Sequence, residues 1–66
     1  GEATATVRLN VRKGAPNTRA PIHQTVQRGT VLAYVGIVED GEPVNGNSRW
    51  YADANRNFFW SGGVKV

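Results

Sequence analysis

From Ala3 to Val11 every second residue is apolar: Ala3, Ala5, Val7, Leu9 and Val11 fall on one face, and Thr4, Thr6, Arg8, Asn10 and Arg12 on the other. Period-two alternation rich in β-branched residues is the mark of a half-buried strand. No window of the chain keeps a 3.6-residue period for more than a turn, so no helix competes with that reading. A protein made only of short strands must hide their unpaired edges, and closing the sheet on itself does so. The alternation therefore predicts a small all-β barrel.

The rest of the chain punctuates itself into further strands. Gly14, Pro16, Asn17 and Pro21 make Lys13–Pro21 an irregular loop, since neither proline suits a central strand. Gln24–Gln27 predicts a short strand, and Arg28-Gly29 a tight turn with positive φ at the glycine. Thr30–Val38, TVLAYVGIV, is the most hydrophobic stretch. Asp40-Gly41 and Asn45-Gly46 are both dipeptides favoured in two-residue hairpins, and with Val44 as its only hydrophobe Glu39–Ser48 is expected to be an exposed excursion. Arg49–Asp53 and Asn57–Trp60 read as a hairpin turning at Ala54-Asn55-Arg56. Val64–Val66 closes the sheet after Ser61-Gly62-Gly63. The expectation is five to seven short antiparallel strands, with Val7, Leu9, Val11, Val31, Val35 and Trp50 inside.

Sixty-six residues make one domain at most, and the whole of 1–66 is read as a single module excised from a larger protein. The chain has no cysteine and one histidine, His23, so disulfides, thiolate metal sites and thiol nucleophiles are excluded and no metal or cofactor is expected. The only serines are Ser48 and Ser61, and Asp53 is the one carboxylate near the aromatic hairpin. No nucleophile–base or acid–base pair stands out, which argues against an enzyme. No apolar run approaches the roughly 20 residues that span a bilayer. The net charge of +3 comes from basic residues that are scattered, with only Arg12 and Lys13 adjacent, so no basic run marks a nucleic-acid interface.

Several pieces of the chain resemble one family. Leu9-Asn10-Val11-Arg12-Lys13-Gly14-Ala15-Pro16 is similar to the L-N-V-R-x-G-P segment of bacterial SH3 domains, the modules attached to cell-wall hydrolases and surface proteins. Gln27-Arg28-Gly29-Thr30-Val31 resembles that family's turn into its central strand. Trp50-Tyr51 followed by Asn57-Phe58-Phe59-Trp60 resembles its W-Y, turn, G-W-V hairpin. The resemblance spans about residues 5 to 66, with a longer Glu39–Ser48 and with Phe59 in place of the family's glycine. It implies an SH3-like barrel in an extracellular or cell-envelope protein. It also implies a monomeric, non-catalytic module that binds peptidoglycan stem peptides or cross-bridges, or packs beside a hydrolase domain of its parent.

On the residues themselves, Asn10 is suited either to tying down loop backbone or to touching a ligand. Arg12 is suited either to a solvated surface or to gripping a carboxylate. Both faces of the Trp50–Trp60 hairpin carry aromatics, more than one small barrel can enclose, so an exposed aromatic groove is expected. Tyr34, Tyr51 and Phe59, with Asn10 and Arg12 at the rim, are the candidate groove for an extended peptide bearing a carboxylate. An adaptor for proline-rich peptides, using Glu39, Asp40 and Glu42 as an acidic loop, is the alternative. A base-stacking nucleic-acid binder is a third and weaker reading.

Overall fold

A computed structural model describes residues 1–66. Eight strands are joined by turns: β1 (Glu2–Ala5), β2 (Leu9–Lys13), β3 (Ile22–Val26), β4 (Val31–Ala33), β5 (Gly36–Val38), β6 (Trp50–Ala52), β7 (Asn57–Trp60) and β8 (Val64–Lys65). One 3₁₀ turn, Ser61–Gly63, precedes β8. All pairings are antiparallel, in a three-stranded sheet ordered β4-β1-β8 and a five-stranded sheet ordered β3-β2-β7-β6-β5. The all-β architecture is the one the alternation predicts.

The strands number eight, beyond the five to seven expected, because two long stretches break. Ala3–Val11 is not one strand: Thr6 to Arg8 leave the extended ladder, and the chain crosses there from the small sheet to the large one. Val7 lies in that crossover and is half exposed, not inside. Thr30–Val38 breaks at Tyr34-Val35, and its halves, β4 and β5, join different sheets. In β4 it is Leu32 that packs on the core. Val31 pairs with Thr4, and both Val31 and Val35 are exposed, which corrects their assignment to the interior.

The core between the sheets is Ala3 and Ala5 from β1, Leu9 and Val11 from β2, Val26, Tyr51 and Phe59, with Leu32, Tyr34 and Val64 packed against it. Alanines in β1 let the two sheets approach where Tyr51 and Phe59 fill the space. Gly63 is needed for the same reason, because a Cβ there would lie 2.7 Å from the Leu9 side chain. No buried side-chain polar atom lacks a partner.

Two turns follow the sequence closely. Asn45 and Gly46 take φ of 51° and 79°, and Val44 and Asn47 exchange both backbone hydrogen bonds at 3.0 Å, a two-residue hairpin of the kind Asn-Gly favours. Gly29 has φ of 93°. Asp40-Gly41 departs from the expectation: Gly41 does not take positive φ and forms no turn of its own. Its backbone packs against Trp50, and a Cβ at Gly41 would clash with the edge of the indole.

That contact belongs to a second packed layer. Trp50 is buried at 2% exposure, on the face of the large sheet opposite Tyr51 and Phe59. Its indole N–H donates to the Glu42 carbonyl at 2.9 Å, and the Trp60 N–H donates to the Asn47 carbonyl at 2.9 Å. Glu39–Ser48 is thus a flap folded over both tryptophans, not a free excursion. The Lys13–Pro21 loop locks onto it: the Glu42 N–H donates to the Pro16 carbonyl at 3.0 Å, and the Glu42 carboxylate accepts from the hydroxyl and the N–H of Thr18.

Candidate functional site

The sheet has two faces, and they sort the expected groove residues. On the inner face Tyr34, Tyr51 and Phe59 stack in series, with ring centroids 4.5 Å apart for Tyr34–Tyr51 and 5.6 Å for Tyr51–Phe59. Tyr51 and Phe59 are buried at 7% and 1% exposure, and Tyr34 is half-buried against them. These three form the barrel interior. Asn10 and Arg12 point to the opposite face, between the buried Leu9 and Val11. The five residues therefore border no common groove.

The outer face supplies a groove of its own. Along β2 Asn10 and Arg12 share one parity, Arg8 just before the strand lines the same groove, and across the sheet Arg12 pairs with Phe58 and Trp50 with Trp60. Trp60, Val44 of the flap and Thr18 of the long loop close the other side, beside Trp50 and the Leu9 stretch of β2. The enclosed volume is about 170 Å³, below the roughly 300–1,000 Å³ of small-molecule pockets. That size suits a few groups of an extended ligand.

The chemistry of the groove is lopsided toward donors. Asn10 Oδ1 accepts from the Thr25 hydroxyl at 2.7 Å, which fixes the amide orientation and leaves its NH₂ group for a ligand. Arg12 Nη1 donates to the Ala20 carbonyl at 3.1 Å, pinning a half-buried guanidinium that keeps its other N–H groups. Arg8 is exposed and forms no ion pair, since the one ion pair in the molecule joins Arg49 to Glu39 at 2.9 Å. The nearest carboxylate, Glu42, is engaged. Its hydrogen bond from the Thr18 hydroxyl, helped by the Thr18 N–H and by the charges of Arg19 and Arg12, holds its pKa below the usual value. The groove is a ring of donors beside an indole, ready for an oxygen-rich anionic group.

No family model, curated protein or solved structure matches this chain.

No group of three His, Asp or Glu side chains is placed to hold a metal ion, and no helix is long and apolar enough to cross a membrane. His23 sits exposed on β3 at the position where the β2–β3 register slips. Asp53 closes the β6–β7 turn. Its Oδ1 accepts from the N–H groups of Asn55 and Asn57 at 2.8 and 2.9 Å, and its Oδ2 accepts from the Asn57 amide at 3.1 Å.

Of the groove residues that sequence reasoning missed, three had a signal. Arg8 has the parity of Asn10 and Arg12. Trp60 and Trp50 carry an N–H that must find an acceptor when buried. Carbonyls of a covering loop supply one, whereas a barrel interior walled by paired strands has few to offer. That requirement assigns the tryptophans to the flap side and leaves Phe59 for the core.

Proposed function

We propose that this chain is a non-catalytic binding module of the bacterial SH3 kind, whose outer groove takes an extended peptide bearing a carboxylate. The single observation that carries the reading is the donor-rich groove: Arg8, the Asn10 amide and Arg12 line it beside Trp60, and neither arginine is held in an ion pair. A carboxylate accepts from two guanidinium N–H groups at once, and the indole gives apolar cover to a neighbouring side chain. The Leu9–Pro16 and Trp50–Trp60 segments resemble the cell-wall modules, which makes peptidoglycan stem peptides, rich in free carboxylates, the ligand class we assign. A place in the cell envelope, within a larger parent protein, follows from the same resemblance.

The adaptor reading has less support. Of its acidic loop of Glu39, Asp40 and Glu42, two members are tied to Arg49 and Thr18, which leaves Asp40 alone for a basic ligand residue.

A groove this small buries little area, so the isolated module is expected to bind with a Kd of about 10 μM to 1 mM, or roughly 4–7 kcal/mol. The test is a chemical-shift titration with soluble muropeptides, beside a proline-rich peptide and a single-stranded oligonucleotide. Muropeptides are expected to move the amides of Arg8, Asn10, Arg12, Thr18 and Val44 and the Trp60 indole N–H. In Arg8→Gln/Arg12→Gln the affinity is expected to fall about tenfold or more, or 1.4 kcal/mol. An equal response to either control, or an unchanged affinity in the double variant, rejects the proposal.

A further inference from the structure

The Val44–Asn47 hairpin is a ridge with a depression on either side. Val44 faces the groove, while Gly46 and Asn47 face a second depression of about 400 Å³ completed by Glu39, Ser48, Arg49 and Ser61. Trp60 spans the boundary, since it lines the groove while its N–H is bonded to the Asn47 carbonyl and the next residue, Ser61, lines the depression.

The chemistry of the second depression is the reverse of the first. No hydrophobic side chain lines it. Its two charges are paired with each other, Arg49 Nε and Nη2 donating to the two Glu39 carboxylate oxygens at 2.9 and 3.1 Å. The pairing raises the Arg49 pKa above its ordinary value, and it cancels the local charge. The polar groups are held before any ligand arrives: Asn47 and Ser61 share reciprocal hydrogen bonds at 3.0 and 3.3 Å. Asn47 Oδ1 also accepts from the Arg49 N–H at 2.9 Å, and the Ser48 hydroxyl donates to the Glu39 carbonyl at 2.7 Å. What stays available is mixed. The remaining Arg49 N–H groups donate, while the Glu39 carboxylate and the Ser48 oxygen accept. An anion meets Glu39 there, a cation meets Arg49, and an apolar side chain finds no wall. A ligand whose hydroxyls and amides each donate and accept fits all of these groups, and their fixed positions lower the ordering cost of binding it.

We propose that this depression is a second binding site, for a neutral saccharide. Resting on the groove reading above, the two sites together select a ligand that carries a sugar and an acidic peptide on one scaffold. Linking the two halves makes the second contact intramolecular.

The experiment titrates the isotope-labelled protein with tri-N-acetylchitotriose, with a carboxylate-bearing stem peptide that lacks sugar, and with a muropeptide that carries both. The saccharide is expected to move the amides of Gly46, Asn47, Ser48, Arg49 and Ser61 and to leave Arg8, Asn10 and Thr18 unmoved. In Glu39→Gln/Arg49→Gln that response is expected to weaken about tenfold, with the dispersion of the spectrum unchanged because both side chains are exposed. No shift at millimolar saccharide, or a response indifferent to the double variant, overturns the site. A saccharide response at the depression with none from the peptide at the groove supports the second site and overturns the groove reading alone.

Discussion

Asp53 shows how much of this small protein rests on single polar side chains. Its partial burial works to raise its pKa, but the backbone and side-chain donors of Asn57, the Asn55 N–H and the charge of His23 outweigh it and hold the carboxyl below its usual 3.8. The group is therefore more acidic folded than unfolded, so its stabilisation is complete above 3.8 and is lost as pH falls through the lower folded value. Glu42 acts in the same sense from the flap. Thermal melts between pH 6 and pH 2, as a rough range spanning carboxylate titration, are expected to show stability falling in the acid limb. In Asp53→Asn the limb is expected to be shallower, and an unchanged limb would locate the acid sensitivity elsewhere. Next to it, Arg56 holds φ of 62°, a left-handed conformation that costs an ordinary residue about 1–2 kcal/mol. Its carbonyl accepts from the Gly14 N–H at 2.9 Å, so the turn is strained and anchored at one point.

At the scale of elements, the flap is the piece whose role changed most between sequence and structure. Its composition, three acidic residues and two turn dipeptides around one valine, reads as solvent-exposed, and half of its residues are. What packs is its backbone: Gly41 against the Trp50 ring, and the carbonyls of Glu42 and Asn47 onto the two indoles. Replacing Glu39–Ser48 with a two-residue Asn-Gly turn is accordingly expected to uncover the Trp50 indole, at a cost of roughly 25 cal/mol per Å² of apolar surface returned to water, while its N–H exchanges the Glu42 carbonyl for water. Loss of amide dispersion in that variant checks it; a native-like spectrum would mean the flap is dispensable. The strands were legible wherever a polar face set the phase, as in β2, where Leu9 and Val11 alternate with Asn10 and Arg12. In TVLAYV no polar face exists, so parity cannot tell Leu32 and Tyr34, which go inward, from Val31 and Val35, which do not. In β6 both faces are covered, so Trp50 and Tyr51 are both buried, a pattern that period-two reasoning takes for one face only. Of the candidate groove, Asn10 and Arg12 were legible from parity. The aromatics were not, because their identities alone do not say which face the flap will cover.

For the molecule as a whole, 66 residues imply a total stability of about 3–10 kcal/mol, with one core and no crosslink to supply it. Phe59→Ala is expected to cost about 3–5 kcal/mol, enough to unfold a large fraction of the protein near body temperature. Trp60→Ala, on the outer face, is expected to leave the barrel folded while weakening the groove. Circular dichroism melts of the pair separate the two faces, and comparable losses in both would show that they are not independent layers. The division between the faces has one more consequence, for how the molecule responds to light. Trp50 and Trp60 are the only indoles in the chain, the first sealed beneath the flap and the second half-exposed in the groove wall. Their emission divides accordingly into a blue, quencher-resistant part and a redder part open to dissolved iodide. A ligand in the groove shields only the second, so the unlabelled protein carries its own optical gauge of occupancy.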